Sequence, residues 1–240
     1  MTAAPTIFDL AAEQPATLIR RLEVVGELLD STLKGPDYSL SEDKDKFDFM
    51  VDQAVGPVLD SAARAAEFLV ARFDGGPTRV ELKRVGLGGE LFKQQKVRSM
   101  KWGTELLAVG LKDKNNDRII PVVGKWIRKL SLDEAAQRDN ILAREMSYVG
   151  PRPKAQEEFD LFRSLDPIYG PLWAEAYASM RPGETGDAQI NGRGHLGSDT
   201  KGMMTIMLWD LLYNHDQSVA TDTMISIKTV GKIASMHGAH

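Results

Sequence analysis

The sequence predicts an α+β fold, mostly helical with a small β-hairpin, and three features carry that expectation. Two long stretches in the first third repeat apolar residues every three or four positions. Two alternating runs flank a glycine-rich tetrapeptide, as the strands of a hairpin do. From Val122 onward, short apolar segments of helical spacing are punctuated by Gly-Pro and Arg-Pro-Gly turns.

Pro15 opens the first stretch, where Leu18, Leu22, Val25, Leu28, Leu29 and Leu33 line one helical face up to Gly35-Pro36. A charged run from Ser41 to Asp48 leads into the second, in which Phe47, Met50, Val51, Val55, Val58, Leu59, Ala62, Ala66 and Leu69 recur at helical spacing. Pro57 lacks an amide hydrogen and should kink or break that helix. Thr78–Val85 and Leu91–Val97 are the expected strands, joined by Gly86-Leu-Gly-Gly89, and Lys112–Asp117 is a polar loop. The division expected is a helical region over 1–75, a catalytic domain over 76–235 and a tail over 236–240. Leucine and valine stripes near the N-terminus are compatible with a homodimer.

The 240 residues carry a net charge of −4, and a mean hydropathy of −0.26 fits a water-soluble chain. Without cysteine there is no thiolate metal site and no thiol nucleophile. His195, His215, His237 and His240 show no zinc-ligand spacing. An acidic balance argues against a nucleic-acid partner. No apolar run reaches the roughly 20 residues that span a bilayer, so the expected location is the cytoplasm. The charge is uneven, net −7 over 1–78, +8 over 79–129 and −5 over 130–240, and the basic middle suits phosphate groups.

Asp133-Glu134 is the first candidate for chemistry. One reading is structural: Ser131 caps a helix and Glu134 completes a capping box. The other is chemical. A carboxylate at a helix N-terminus stays ionised, Arg128 and Lys129 attract phosphate beside it, and adjacent carboxylates can divide attack on phosphorus from Mg²⁺ binding. Arg152 between two prolines, and Arg181 and Arg193 in glycine-rich turns, are further phosphate candidates. Asp210, Tyr213, Ser218 and Asp222 lie on the last helical stretch.

In order along the chain, several motifs resemble the bacterial sugar transferase family, the monotopic phosphoglycosyl transferases. They are Lys96-Val-Arg-Ser-Met100, Asn116-Asp-Arg-Ile119, Gly124 through Asp133-Glu134, Gln137…Asn140-Ile-Leu142, Met146 through Gly150-Pro-Arg-Pro153, Arg181-Pro-Gly-Glu-Thr-Gly186, Gln189-Ile-Asn-Gly-Arg193 and Asp210…Tyr213. The resemblance runs from near Gly76 to about Val230. It implies a two-step transfer in which Asp133 attacks the β-phosphate of a UDP-sugar, expels UMP and passes the phosphosugar to a polyprenyl phosphate. It also implies Glu134 as the Mg²⁺ ligand, Lys96, Arg128, Arg152 and Arg181 as phosphate-neutralising cations, and Asp210 with Tyr213 completing the site.

Five departures qualify that picture. The family enters this domain through an apolar re-entrant membrane helix, whereas 47–73 carries Asp52, Asp60, Arg64, Glu67 and Arg72, which are expensive in hydrocarbon. The segment is expected to bury its apolar face inside the protein, with an interfacial amphipathic helix as the alternative. Arg144-Glu145 replaces a usual Gly-Asp, Ala136 a proline, and Glu184 and Asp187 apolar residues. The expected function is therefore that of a soluble transferase acting on a diphosphate substrate, first of all a UDP-sugar. Two alternatives stand beside it. One is a transferase for prenyl diphosphates, using Met203, Met204, Ile206, Met207, Leu208 and Trp209 as an apolar pocket unless these are ordinary core. The other is a non-catalytic homologue that binds nucleotide sugar.

Overall fold

A computed structural model describes residues 37–104, 118–192 and 200–238. The helix expected between Pro15 and Gly35, the 112–117 loop, Arg193, His195 and His240 lie outside the described residues. In chain order the elements are α1 (Glu42–Phe73), β1 (Arg79–Val85), β2 (Leu91–Val97), α2 (Val123–Lys129), α3 (Arg138–Leu142) and β3 (Ser147–Val149). There follow α4 (Gln156–Ser164), α5 (Tyr169–Ala178), β4 (Gly183–Thr185), α6 (Asp187–Gly192), α7 (Thr200–Asp216) and α8 (Val219–Gly238). The α+β class and its helical majority are as the sequence predicts, and β1 and β2 pair as the expected hairpin. Its turn uses Gly88 and Gly89 at φ of 70° and 76°, a region open to glycine at no steric cost.

The elements form two compact units that interleave in sequence. The smaller comprises Phe49–Lys83 and Lys93–Arg144, the larger Met1–Asp48, Arg84–Phe92 and Glu145–His240. In the larger unit, α4, α5 and α7 enclose a core of Phe159, Phe162, Trp173, Tyr177, Met204, Met207, Leu208 and Leu211. The methionine-rich stripe on α7 is thus core, packed with four aromatic rings in which Phe159, Phe162 and Tyr177 each lie tilted against Trp173, about 5 Å from it centre to centre. In the smaller unit, Ala63, Ala66 and Val70 of α1 pack with Val97, Ile120, Val123, Ile127, Ala135 and Ala136.

One tertiary pairing escapes the sequence reading. β3 and β4 run parallel, Ser147 opposite Gly183 and Val149 opposite Thr185. Their glycines are dictated by proximity: a Cβ on Gly150 would stand 2.4 Å from the Arg181 carbonyl oxygen, and one on Gly183 would stand 2.1 Å from the Gly150 nitrogen. The Gly-Pro-Arg-Pro and Arg-Pro-Gly motifs are therefore the two halves of one backbone contact.

Pro57 does not end its helix, which runs unbroken for 32 residues. Gln53, four residues back, is exposed with Pro57, so water can solvate the carbonyl left without an amide partner. The expectation that 47–73 buries its apolar side chains is corrected as well. Phe47, Ala63, Ala66 and Val70 are buried, but Phe49, Met50, Val58, Phe68 and Phe73 are all more than half exposed. The polar residues explain why. Buried Asp52 and half-exposed Asp60 both hold Arg138, and Glu67 holds Arg79, so these ion pairs take part of the packed face and the larger apolar groups stay outside. Among the described residues no helix is long and apolar enough to cross a membrane.

Candidate active site

Asp133 and Glu134 sit in a turn of the smaller unit, between α2 and a 3-10 turn over Ala135–Gln137 that leads into α3. The capping box is not formed. Ser131 has φ of 55°, outside the extended conformation an N-cap needs, and it closes the helix before it instead. Its amide donates to the Arg128 carbonyl at 3.2 Å, and the Leu132 amide reaches back to the Ile127 carbonyl at 2.9 Å. That pair of bonds is a Schellman closure of α2, with serine in the left-handed position where glycine is usual. Leu132 and Ile127 pack in the same apolar cluster, which accompanies such a closure.

The turn is fixed on both sides. After the carboxylates, Ala135 and Ala136 are buried in the core, and the residue the sequence marked as a departure is one of its packing elements. Across the turn, the Val97 amide donates to the Asp133 carbonyl at 2.9 Å, tying the carboxylate pair to the end of β2. One residue earlier, the Lys96 ammonium donates to Glu134 Oε1 at 3.0 Å and lies 3.7 Å from Asp133 Oδ2. All three side chains keep partial access to solvent: 14% for Lys96, 20% for Asp133 and 25% for Glu134.

Burial pushes the Asp133 carboxyl above the usual carboxylate range, Lys96 pulls it back, and the neighbouring Glu134 charge raises it again. This differs from the expected carboxylate held ionised by a helix terminus. A hydrogen bond from its own backbone amide and the charge of exposed Arg128 also favour the ionised form. Two carboxylates sharing one ammonium form an arrangement in which one group can act as nucleophile while its neighbour binds a cation.

The other four predicted site residues belong to the larger unit. Arg152 is exposed between buried Pro151 and Pro153, and its carbonyl accepts a bond from the Tyr177 hydroxyl at 3.2 Å. Arg181 is buried. Its Nε donates to the Ser39 carbonyl at 2.9 Å, and its guanidinium lies 2.9 Å from Asp45 and 3.9 Å from Asp48. Asp210 is buried too, accepting from Trp173 Nε1 at 3.0 Å, and burial raises its carboxyl to about 6. Tyr213 donates to Asp222 at 2.8 Å, and burial drives its hydroxyl pKa upward. The sequence placed Asp210 and Tyr213 together, and the structure gives each a buried partner of its own.

Two groups were overlooked. Lys44 is almost fully buried on the first turn of α1, bonded to Asp222 at 2.5 Å and to the Val149 carbonyl at 2.8 Å. In the sequence it is one charge in the run from Ser41 to Asp48, with nothing to mark it as buried. Asn140 stood only as part of a motif, yet its amide bonds both Lys93 and Gln95 on β2. Polar residues at helical spacing with core alanines were the one available signal.

Residues 42–236 match the sequence pattern of the family described as bacterial sugar transferase, so the match begins at the first residue of α1. The chain is similar to the exopolysaccharide production protein ExoY of Sinorhizobium fredii, 33% identical over 186 residues that take in 72% of this chain and 76% of that protein. It is 37% identical over 179 residues to a UDP-glucose:undecaprenyl-phosphate glucose-1-phosphate transferase of Klebsiella pneumoniae, across 74% of this chain and 36% of that one. An undecaprenyl-phosphate galactose phosphotransferase of Salmonella typhimurium is 35% identical over 182 residues, across 70% and 35%. The chain thus spans about three quarters of the first relative and about a third of the other two.

Proposed function

Because the chain belongs to the bacterial sugar transferase family, and two relatives are named as a galactose phosphotransferase and a glucose-1-phosphate transferase, we propose that it moves a sugar phosphate from a UDP-sugar through Asp133. The observation that supports this reading most is the Asp133–Glu134–Lys96 group, carboxylates partly open to solvent on a turn braced at both ends.

In the first step a carboxylate oxygen of Asp133 attacks the β-phosphorus. The new Asp–O–P bond forms as the bond to the bridging oxygen breaks, and UMP leaves with that oxygen. In the second step a phosphate oxygen of the acceptor attacks the same phosphorus and returns the carboxylate. The names of two relatives, both acting on undecaprenyl phosphate, point to a polyprenyl phosphate as acceptor. Partial desolvation makes the Asp133 oxygen a better nucleophile, while Lys96 and Arg128 offset charge gathering on the transferring phosphoryl group. Arg152 carries phosphate binding in the larger unit, and Arg181, Asp210 and Tyr213 serve as buried framework there.

Asp133 and Glu134 also suit Mg²⁺. Among the described residues no cluster of three or more His, Cys, Asp or Glu holds a cation by itself, but Mg²⁺ commonly takes one or two carboxylates and fills its other positions with phosphate and water oxygens. Glu134 would hold it, and the ion supplies charge neutralisation of the diphosphate. The prenyl diphosphate alternative loses its pocket, since the α7 stripe is core.

The test is rapid-quench measurement of UMP from purified protein, Mg²⁺ and a panel of UDP-sugars, without acceptor. A burst of about one UMP per site is expected, with Asp133→Asn lowering it at least about 10³-fold. Consumption of a prenyl diphosphate with no UMP from any donor would overturn the proposal.

A further inference from the structure

β2 has two edges. One pairs with β1. On the other, residues 93, 95 and 97 present their backbone groups, since alternate residues of a strand share an edge. No strand lies there among the described residues; side-chain and turn atoms take its place. Asn140 Nδ2 donates to the Lys93 carbonyl at 2.8 Å, while Asn140 Oδ1 accepts from the Gln95 amide at 2.8 Å. The third group, the Val97 amide, goes to the Asp133 carbonyl. Lys96 stands between the second and third of these bonds, so the register of this edge fixes where its ammonium meets the two carboxylates.

Asn140 is itself held. It is 2% exposed, and α3 is braced by Arg138 on Asp52 and Asp60 of α1. Asp139, beside it, pairs with Arg79 at the start of β1. Carboxamides alone among side chains at this length offer a donor and an acceptor that together mimic one peptide unit of a neighbouring strand. An aspartate keeps the acceptor and loses the donor; leucine keeps neither.

We infer that Asn140 is a positioning residue of the active site, its carboxamide locking the register of β2 against the Asp133 turn so that the Lys96 ammonium lies between Asp133 and Glu134. This rests on the proposed function for its catalytic consequence, but the locking itself can be measured without turnover.

Amide hydrogen exchange on the full chain reads the lock. Asn140→Ala removes the partner of the Gln95 amide, and the loss should spread to the Val97 amide, whose exchange rises at least tenfold although its own acceptor is untouched. Asn140→Asp, the milder variant if alanine unfolds the protein, should loosen Val97 to a smaller extent. The UMP burst reads the consequence. Asn140→Ala should slow it about 100-fold, with the half-saturating donor concentration little changed, as a misplaced catalytic group does. In a Lys96→Met background the same alanine should slow it less than threefold, because the group it positions is already gone. Unchanged Val97 exchange in both Asn140 variants overturns the inference, and so does an Asn140→Ala penalty equally large with and without Lys96. If the wild-type chain releases no UMP from any donor, the proposed function fails, while hydrogen exchange at Val97 still decides the lock.

Discussion

The two units each contain a lysine set among carboxylates, and the two clusters differ in one respect, access to water. Around Lys96, the side chains of Asp133 and Glu134 keep a fifth to a quarter of their surface. Around Lys44, Asp222 has none and Asp48 nearly none, and the gaps are filled by Tyr38, Tyr213, Ser147 and the Val149 carbonyl. Burial lowers the Lys44 pKa, against the pull of Asp222 and Asp48, and raises that of Asp48. A closed cluster of buried, paired charges fixes structure, here tying the first turns of α1 to β3 and α8. An open one leaves carboxylate oxygens available to a substrate. The same residue types serve both ends, and solvent access separates them.

Lys44→Met should therefore destabilise the protein by about 3–5 kcal/mol, because it strands the Asp222 charge in the interior. Adding Asp222→Asn should recover more than half of that loss. Lys96→Met should change unfolding free energy by less than about 1 kcal/mol, its ion pairs being partly solvated, while slowing the UMP burst about 100-fold. Urea denaturation of the four proteins checks the contrast. Comparable losses from the two lysine substitutions would erase it.

Asp210 tests the closed side through pH. Burial raises its carboxyl from 3.8 to about 6 in the folded state. Between those values the unfolded chain has released the proton and the folded chain still holds it, so stability falls as pH rises through the window and levels off above about 6. Measured as the difference between the wild type and Asp210→Asn, which removes other groups from the comparison, the fall should come to about 2 kcal/mol from pH 4 to pH 6. A difference that stays flat would mean that Asp210 is not desolvated as its contact with Trp173 suggests.

What could be read from sequence follows the range of the interaction. The hairpin and α1 are local patterns, and both were legible apart from Pro57, whose neighbourhood is exposed. Lys96, Asp133 and Glu134 were legible as a motif, though 37 residues separate Lys96 from Asp133; the Val97–Asp133 bond that joins them has no signature of its own. The β3–β4 pair was not legible, because strands of three residues show no alternation and their glycines resemble turns until the opposing backbone is seen. Nor were the ion pairs of Asp60 and Glu67 on α1, since Arg138 and Arg79 that claim them lie 78 and 12 residues away. Charge in a sequence does not say which way it faces.

The smallest effect sits closest to the open cluster. Ser131 adopts φ of 55° two residues before Asp133, a conformation that costs a residue with a Cβ about 1 kcal/mol or more. Its side chain is exposed, so glycine at this position removes the steric cost without opening a cavity. Part of the gain is offset by the greater freedom of glycine in the unfolded chain. Ser131→Gly should raise unfolding free energy by about 0.5–1 kcal/mol in urea titration. If the turn geometry is set by its anchors, the Val97–Asp133 bond and buried Ala135 and Ala136, the burst rate should change less than threefold. A stabilised protein with a much slower burst would instead show that the serine backbone holds the carboxylates in place. Loss of stability would show that this residue is not strained, and that the closure of α2 relies on the hydroxyl.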